Sequence, residues 1–191
     1  MKLVILDRNG TLNAHREDFV KSDVEWTPLP GSLEAVAKLN HAGWHVVIAS
    51  NQSGLGRGLF DVASLNAMHA KMNKMLASVG GRVDAVFYCP HSPDENCDCR
   101  KPKPGLFLQI GERYGVDLAQ VPTAGDSLRD LQAGAAAGCE PHLLLSGMSA
   151  ACRGAPLPPE FPPNTVVHDD LAAFVDYLLA RPSKTPPKVA L

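Results

Sequence analysis

Short apolar runs alternate along this chain with longer stretches whose apolar residues recur every three or four positions. That alternation restricts the fold to α/β: a parallel sheet with helices on both faces. The runs fall at Lys2–Leu6, 44–49, 83–88, 121–125, 142–145 and 165–167. Several are nearly continuous in apolar character, which suits central strands covered on both sides. Between them, 32–42 places Leu33, Val36, Ala37 and Leu39 on one helical face, with Gly43 as a stop. Residues 62–79 repeat Val62, Leu65, Met68, Met72, Met75, Leu76 and Val79, a core-facing stripe in which the methionines fill space. Further helices are expected from Pro104 to about 115, from Asp126 to Gly138, and over 170–179. Residues 13–30 read as a loop insertion and 147–163 as a connection rich in Pro, Gly and Ala. The chain thus reads as one domain over 1–180, followed by a flexible tail, 181–191, that carries three prolines.

A chain of 191 residues, 45% apolar and 20% charged, can bury a core without disulfides. Its net charge of −2 gives no electrostatic case for nucleic acid or a membrane surface as partner. The opening MKLVILD is too short for a secretory apolar region, and no stretch approaches the roughly 20 apolar residues of a membrane span. A cytoplasmic protein is expected, with a monomer as the working assembly.

Four polar sites stand at the carboxyl side of expected strands, where open α/β sheets place their active sites. The first strand runs into Asp7-Arg8-Asn9-Gly10-Thr11, and the second into Ser50-Asn51. Lys101 lies in Arg100-Lys101-Pro102-Lys103-Pro104-Gly105 just before a helix, and Asp126 follows the fourth strand in Gly125-Asp126-Ser127-Leu128-Arg129-Asp130. A hydroxyl at Ser50 can bond a phosphate oxygen, and an ammonium at Lys101 can offset charge on a transferring phosphoryl group. Asp7 and Asp126 offer hard oxygen ligands suited to Mg²⁺. Read alone, Asp126 is equally a helix N-cap.

Three of the five cysteines fall within eleven residues. Cys89, His91, Cys97 and Cys99 form Cys-x-His, five residues, then Cys-x-Cys: a closed tetrahedral set for a structural Zn²⁺. An odd cysteine count without a secretory signal argues against a disulfide framework. Arg100 and Lys101 come directly after the last ligand, so zinc in the 89–99 loop would fix the segment that delivers these cations.

These motifs, in this order, resemble the haloacid dehalogenase superfamily, whose phosphatase branch reads Asp-x-Asp-Gly-Thr at the first site. The resemblance implies a Rossmann-like fold without a separate cap domain. It also implies that Asp7 is a nucleophile forming an aspartyl-phosphate, and that the main-chain carbonyl of residue 9 joins Asp7 and Asp126 around Mg²⁺. Asp-Arg-x-Gly-Thr, Asn51-Gln52-Ser53-Gly54, the Cys/His loop and Cys99-Arg100-Lys101-Pro102 together resemble the D-glycero-D-manno-heptose 1,7-bisphosphate 7-phosphatases. Histidinol-phosphate phosphatases share nearly the same set. The similarity implies a small phosphorylated sugar as substrate. Its contacts would come from Arg16, in the loop over 14–18, from Ser50, Asn51, Gln52 and Ser53, and from Arg100 and Lys101. Arg100 suits a second phosphate because a guanidinium makes two-pronged oxyanion contacts. A polynucleotide 3′-phosphatase shares the nucleophile motif, but this acidic chain carries no aromatic-basic stripe.

Position 9 departs from the pattern: Asn9 stands where the family has the aspartate that acts as general acid and then base. An amide cannot do this work, so weak turnover with intact metal and phosphate binding is expected. Asn9 is read as an introduced substitution, or else as the mark of a naturally poor catalyst or a non-catalytic phosphometabolite-binding protein. Asn9-Gly10 is also a dipeptide prone to deamidation, which would return some aspartate.

Overall fold

The computed structural model describes residues 1–182. Six strands form one wholly parallel sheet: β1 (Lys2–Leu6), β2 (Trp44–Asn51), β3 (Ala85–Cys89), β4 (Pro122–Gly125), β5 (Glu140–Leu144) and β6 (Val166–His168). Their order is β3-β2-β1-β4-β5-β6. The chain builds outward from β1 to β3, then crosses back to β4 and builds the other way. The sheet therefore has a topological switch point between β1 and β4, where the strand ends leave a crevice. β1 pairs with β2 from Lys2↔Trp44 to Leu6↔Ile48, and with β4 at Ile5↔Thr123 and Leu6↔Ala124.

Helices α1 (Ser32–His41), α2 (Ser53–Gly56), α3 (Val62–Ser78), α4 (Gly105–Tyr114), α5 (Leu128–Ala136) and α6 (Leu171–Ala180) accompany the sheet. Because successive strand side chains point to opposite faces, β1 feeds two cores at once. Val4 and Leu6 join Val36 and Leu39 of α1, Leu65, Met68 and Met72 of α3, and Phe174 of α6. Leu3 and Ile5 join Leu106, Phe107 and Ile110 of α4. This two-sided burial is why the strands read as unbroken apolar runs. It also holds the residues that leave β1 in a fixed place.

Several sequence-based boundaries shift. The four-residue helix α2 has no sequence signal, since Ser-Gly-Leu-Gly is too short to show a period. α4 starts at Gly105, with Pro104 as the residue preceding it. α5 is capped by Ser127, not Asp126, through a box in which Asp130 answers the Ser127 amide. The 13–30 insertion is packed rather than loose: Val20 and Trp26 are buried in the larger core, beside Leu12 just before it. Arg181, grouped with the tail by composition, pairs with Glu140 at 2.6 Å and lies over the Tyr177 ring. The rest of the expected tail, 183–191, lies outside the described residues. Among the described residues no helix is long and apolar enough to cross a membrane.

Candidate active site

The four sequence sites meet in the crevice at the switch point. The Asp7 amide donates to the Ala124 carbonyl at 2.9 Å, extending the β1–β4 ladder to the carboxylate itself. The Lys101 ammonium, 2% exposed, lies 2.7 Å from Asp7 Oδ1, 2.7 Å from Asp130 Oδ1 and 2.7 Å from the Ala49 carbonyl. Its loop is latched to β2 by Asn51, whose Nδ2 donates to the Lys101 carbonyl at 3.1 Å and whose Oδ1 accepts from the Lys101 amide at 3.0 Å. Asn51, expected among substrate contacts, thus has both side-chain groups committed to the main chain. Ser50 is buried and its hydroxyl accepts from Gln52 Nε2 at 2.8 Å, which leaves the hydroxyl proton free to donate. Ser53 opens α2 and is buried as well.

Asp130 is the functional group that sequence reasoning missed. Its Oδ2 accepts from the Ser127 amide at 3.0 Å and the Ser127 hydroxyl at 2.6 Å, so the capping box turns Oδ1 toward Lys101. The Ser127-x-x-Asp130 spacing is the signal that could have found it. Asp126, relieved of capping, accepts from the Met148 amide at 2.8 Å. A Cβ at Gly10 or at Gly147 would collide with the Asp126 carboxylate. Gly10 also has φ +80°, so glycine is required there on two counts.

The electrostatics are those of a cation site. One oxygen from each of Asp7, Asp126 and Asp130 lies within 4.8 Å of the others. Lys101, and the buried Arg8 beside Asp7, together carry less charge than the three buried carboxylates. Burial, with Asp7 and Asp130 nearby, pushes Asp126 up to about 8. Burial and Asp130 likewise raise Asp7, Lys101 only partly offsetting them. For Asp130 burial is outweighed by Lys101 and Ser127, and its pKa is lowered. Burial disfavours the Lys101 charge, but Asp130 and Asp7 overcome it and raise its pKa. The excess of buried negative charge, with Asp130 held by Lys101 and Ser127, fits a divalent ion between Asp7 and Asp126.

The second cluster adjoins this one. Cys89 Sγ lies 3.4 Å from His91 Nδ1 and 3.6 Å from Cys97 Sγ; Cys99 Sγ lies 3.3 Å from His91 Nδ1 and 3.6 Å from Cys97 Sγ. A tetrahedral cation bound at Zn–S and Zn–N lengths has edges of about 3.5–3.8 Å, so the set fits. Backbone packing ties the loop to its neighbours: a Cβ on Gly56 would lie 2.6 Å from the Ser92 amide. Lys103 Nζ donates to the Cys97 carbonyl at 2.7 Å.

Two expected substrate residues differ in placement. Arg100 is partly buried with one guanidinium nitrogen lacking a partner; burial, then Arg129, lowers its pKa, with Arg57 adding to the repulsion. Arg16 sits on the insertion in a two-pronged pair with Asp18 at 3.0 and 2.9 Å, side chain 39% exposed. Asn9 Oδ1 accepts from Arg8 Nε and Asn13 Nδ2.

The HAD-hydrolase-like family model matches residues 98–174. A D-glycero-beta-D-manno-heptose-1,7-bisphosphate 7-phosphatase of Bordetella bronchiseptica is 56% identical over 181 residues, covering 94% of this chain and 98% of that protein. Its Pseudomonas aeruginosa counterpart is 49% identical over 177 residues, 93% and 97% of the two chains. Among solved structures, the D,D-heptose 1,7-bisphosphate phosphatase from B. bronchiseptica, complexed with magnesium and phosphate, superposes with a TM-score of 0.88 at 55% identity. That match covers 94% of this chain and 98% of the other. The enzyme from Burkholderia thailandensis gives 0.71 at 48% identity, covering 95% and 100%. Similarity of this extent, on a fold whose switch point gathers the expected carboxylates and lysine, shows that the chain belongs to the D-glycero-beta-D-manno-heptose-1,7-bisphosphate 7-phosphatase family of haloacid dehalogenase-like hydrolases.

Proposed function

We propose that this chain is a phosphomonoester hydrolase that removes the 7-phosphate of D-glycero-β-D-manno-heptose 1,7-bisphosphate by way of a phosphoryl group carried on Asp7. The observation that carries this reading is the buried Asp7 carboxylate at the switch point, paired to Lys101 and within 4.8 Å of Asp126. Asp7 attacks phosphorus, and the bond to the sugar oxygen breaks. Lys101 offsets charge on the nucleophile and the transferring group, while the Ser50 hydroxyl donates to a phosphate oxygen. The leaving oxygen needs a proton that Asn9 cannot give. Water then cleaves the aspartyl-phosphate, a step that again lacks a base at residue 9.

Asp7, the main-chain carbonyl of Asn9 and Asp126 would hold Mg²⁺. When bound, the ion would screen the phosphate charge and make phosphorus more open to attack. Relatives named for the heptose bisphosphate favour that substrate over histidinol phosphate, and the unpaired Arg100 nitrogen supports a second phosphate on it. Paired phosphate-release assays of the two compounds on the Asn9→Asp chain test the assignment. Faster release from histidinol phosphate would reverse it.

The charge excess gives the cation a pH signature. Asp126 has a folded pKa of about 8 against an ordinary 3.8, so the metal-free fold binds more protons than the unfolded chain between those values. The stability this group contributes is therefore fully present below its unfolded value and is lost as pH rises toward 8. Mg²⁺ binds the ionised form, so its increment in melting midpoint should grow from about pH 6 to about pH 8. Comparing samples with and without Mg²⁺ at each pH cancels groups of opposite sign, such as His142, which burial lowers to about 4. An increment that shrinks with pH would contradict the carboxylate site.

The Cys89, His91, Cys97 and Cys99 set is proposed to hold one structural Zn²⁺, with no open position for chemistry. Elemental analysis should find one zinc per chain, and its removal should lower both the melting midpoint and phosphate release, because the loop leads straight into Arg100 and Lys101. Finding no zinc in active protein would remove that role.

A further inference from the structure

The residue between the nucleophile and Asn9 is the most unusual charge in the molecule. Arg8 is fully buried, yet has no carboxylate among its hydrogen-bond partners. Its Nε donates to Asn9 Oδ1 at 3.2 Å, one terminal nitrogen lies 3.1 Å from His69 Nε2, and the other has no partner. A guanidinium can only donate, so His69 Nε2 accepts and the ring is neutral with its proton on Nδ1. Asn13, also buried, sends Nδ2 to the same Asn9 oxygen at 3.0 Å. Its main chain is fixed on both sides, the carbonyl accepting from Gly10 at 2.7 Å and the amide donating to Arg8 at 3.2 Å. Two donors thus converge on one atom of residue 9 and leave the second terminal atom of that side chain free.

Asp7 nearby partly offsets the burial of this cation, yet both of its hydrogen bonds go to neutral acceptors; a carboxylate at residue 9 would turn one of them into a charge-assisted bond through contacts already in place. We infer that Arg8, oriented by His69 on α3 and assisted by Asn13, is the positioning residue for the side chain at position 9. This role presupposes the phosphatase chemistry proposed for Asp7. With aspartate at residue 9, the oxygen facing Arg8 and Asn13 is held unprotonated, so the transferable proton sits on the other oxygen. That proton passes to the leaving sugar oxygen as the P–O bond breaks, and one is recovered from the water that cleaves the aspartyl-phosphate. His69, a helix residue with no motif around it, acts through Arg8 and touches no substrate.

The test is a cycle of variants in the full-length chain, read as kcat and KM for phosphate release. In the Asn9→Asp background, His69→Leu should lower kcat by about ten- to a hundredfold, the scale of a misplaced reacting group, with KM unchanged. His69→Gln keeps an acceptor for Arg8 and should restore most of that loss. In the Asn9 chain, where residue 9 has no proton to transfer, His69→Leu should change kcat little. Arg8→Lys keeps a buried cation but loses the Nε donor, and carries the same comparison should His69→Leu not fold. Equal proportional losses in both backgrounds, or a loss confined to KM, would overturn the positioning role while leaving the phosphatase reading intact. If Asn9→Asp itself leaves turnover unchanged, residue 9 is not the acid and both readings of that position fall.

Discussion

Phosphate release from the heptose bisphosphate should rise by roughly 10²–10⁴-fold when Asn9 is replaced by aspartate, the scale of general acid–base catalysis. The change is nearly isosteric and leaves the main-chain carbonyl of residue 9 where it was. Arg8 and Asn13 already present donors to the side-chain oxygen, so a carboxylate enters a prepared setting. Affinity for inorganic phosphate should therefore change little while turnover rises. Deamidation at Asn9-Gly10 sets the baseline, so the starting chain must be assayed fresh, with residue 9 checked by peptide mass. An unchanged rate would show that residue 9 is not the acid, whereas a chain that binds the sugar phosphate yet shows no turnover at all even after the substitution would be a binding protein rather than an enzyme.

The second large effect belongs to Lys101→Met. Methionine keeps much of the buried bulk and removes the charge. Asp7 and Asp130 would then face each other without the ammonium that lies 2.7 Å from each. Breaking a buried pair by removing one partner costs about 3–5 kcal/mol of stability, and here two carboxylates share the one partner. Loss of a preorganised cation at the reacting group should lower kcat by roughly 10²–10³-fold as well. Thermal melts without Mg²⁺ and steady-state kinetics with it separate the two effects. An unchanged melting midpoint and a kcat within a few-fold of the parent would show that Lys101 neither balances nor assists Asp7.

The fold was legible because strands buried on both faces must be apolar throughout, so Val4–Leu6 and Val46–Ala49 stand out. Asp7 and Asp126, just past β1 and β4, must then lie at the sheet's carboxyl edge, whereas Lys101, a whole loop beyond β3, stands out only by the motif around it. Partnerships were not legible. Nothing in spacing shows that Asn51 latches the main chain of Lys101 fifty residues away, or that Lys101 divides its charge between Asp7 and Asp130. Arg8 stands two residues past β1 and its type suggests solvent, but its guanidinium is fully buried, bonded to Asn9 and lying against His69 of α3. His69 reads in the sequence as a packing or surface residue, because its role depends on the buried guanidinium it meets. The zinc set, by contrast, was visible because four ligands within eleven residues need no long-range pairing to be recognised.

Hydrolysis by this site requires that phosphorus become bonded to Asp7. Residue 9 serves both steps, so in the Asn9 chain the aspartyl-phosphate forms slowly and is cleaved slowly, and long incubation with excess substrate should leave it present at the quench. Acid-quenching this chain with substrate and Mg²⁺, then mass-mapping the peptides, should place one phosphoryl group on Asp7, absent from the Asp7→Asn variant. Phosphate released at an undiminished rate by Asp7→Asn, or a phosphoryl group found on another residue, would contradict a covalent role for Asp7.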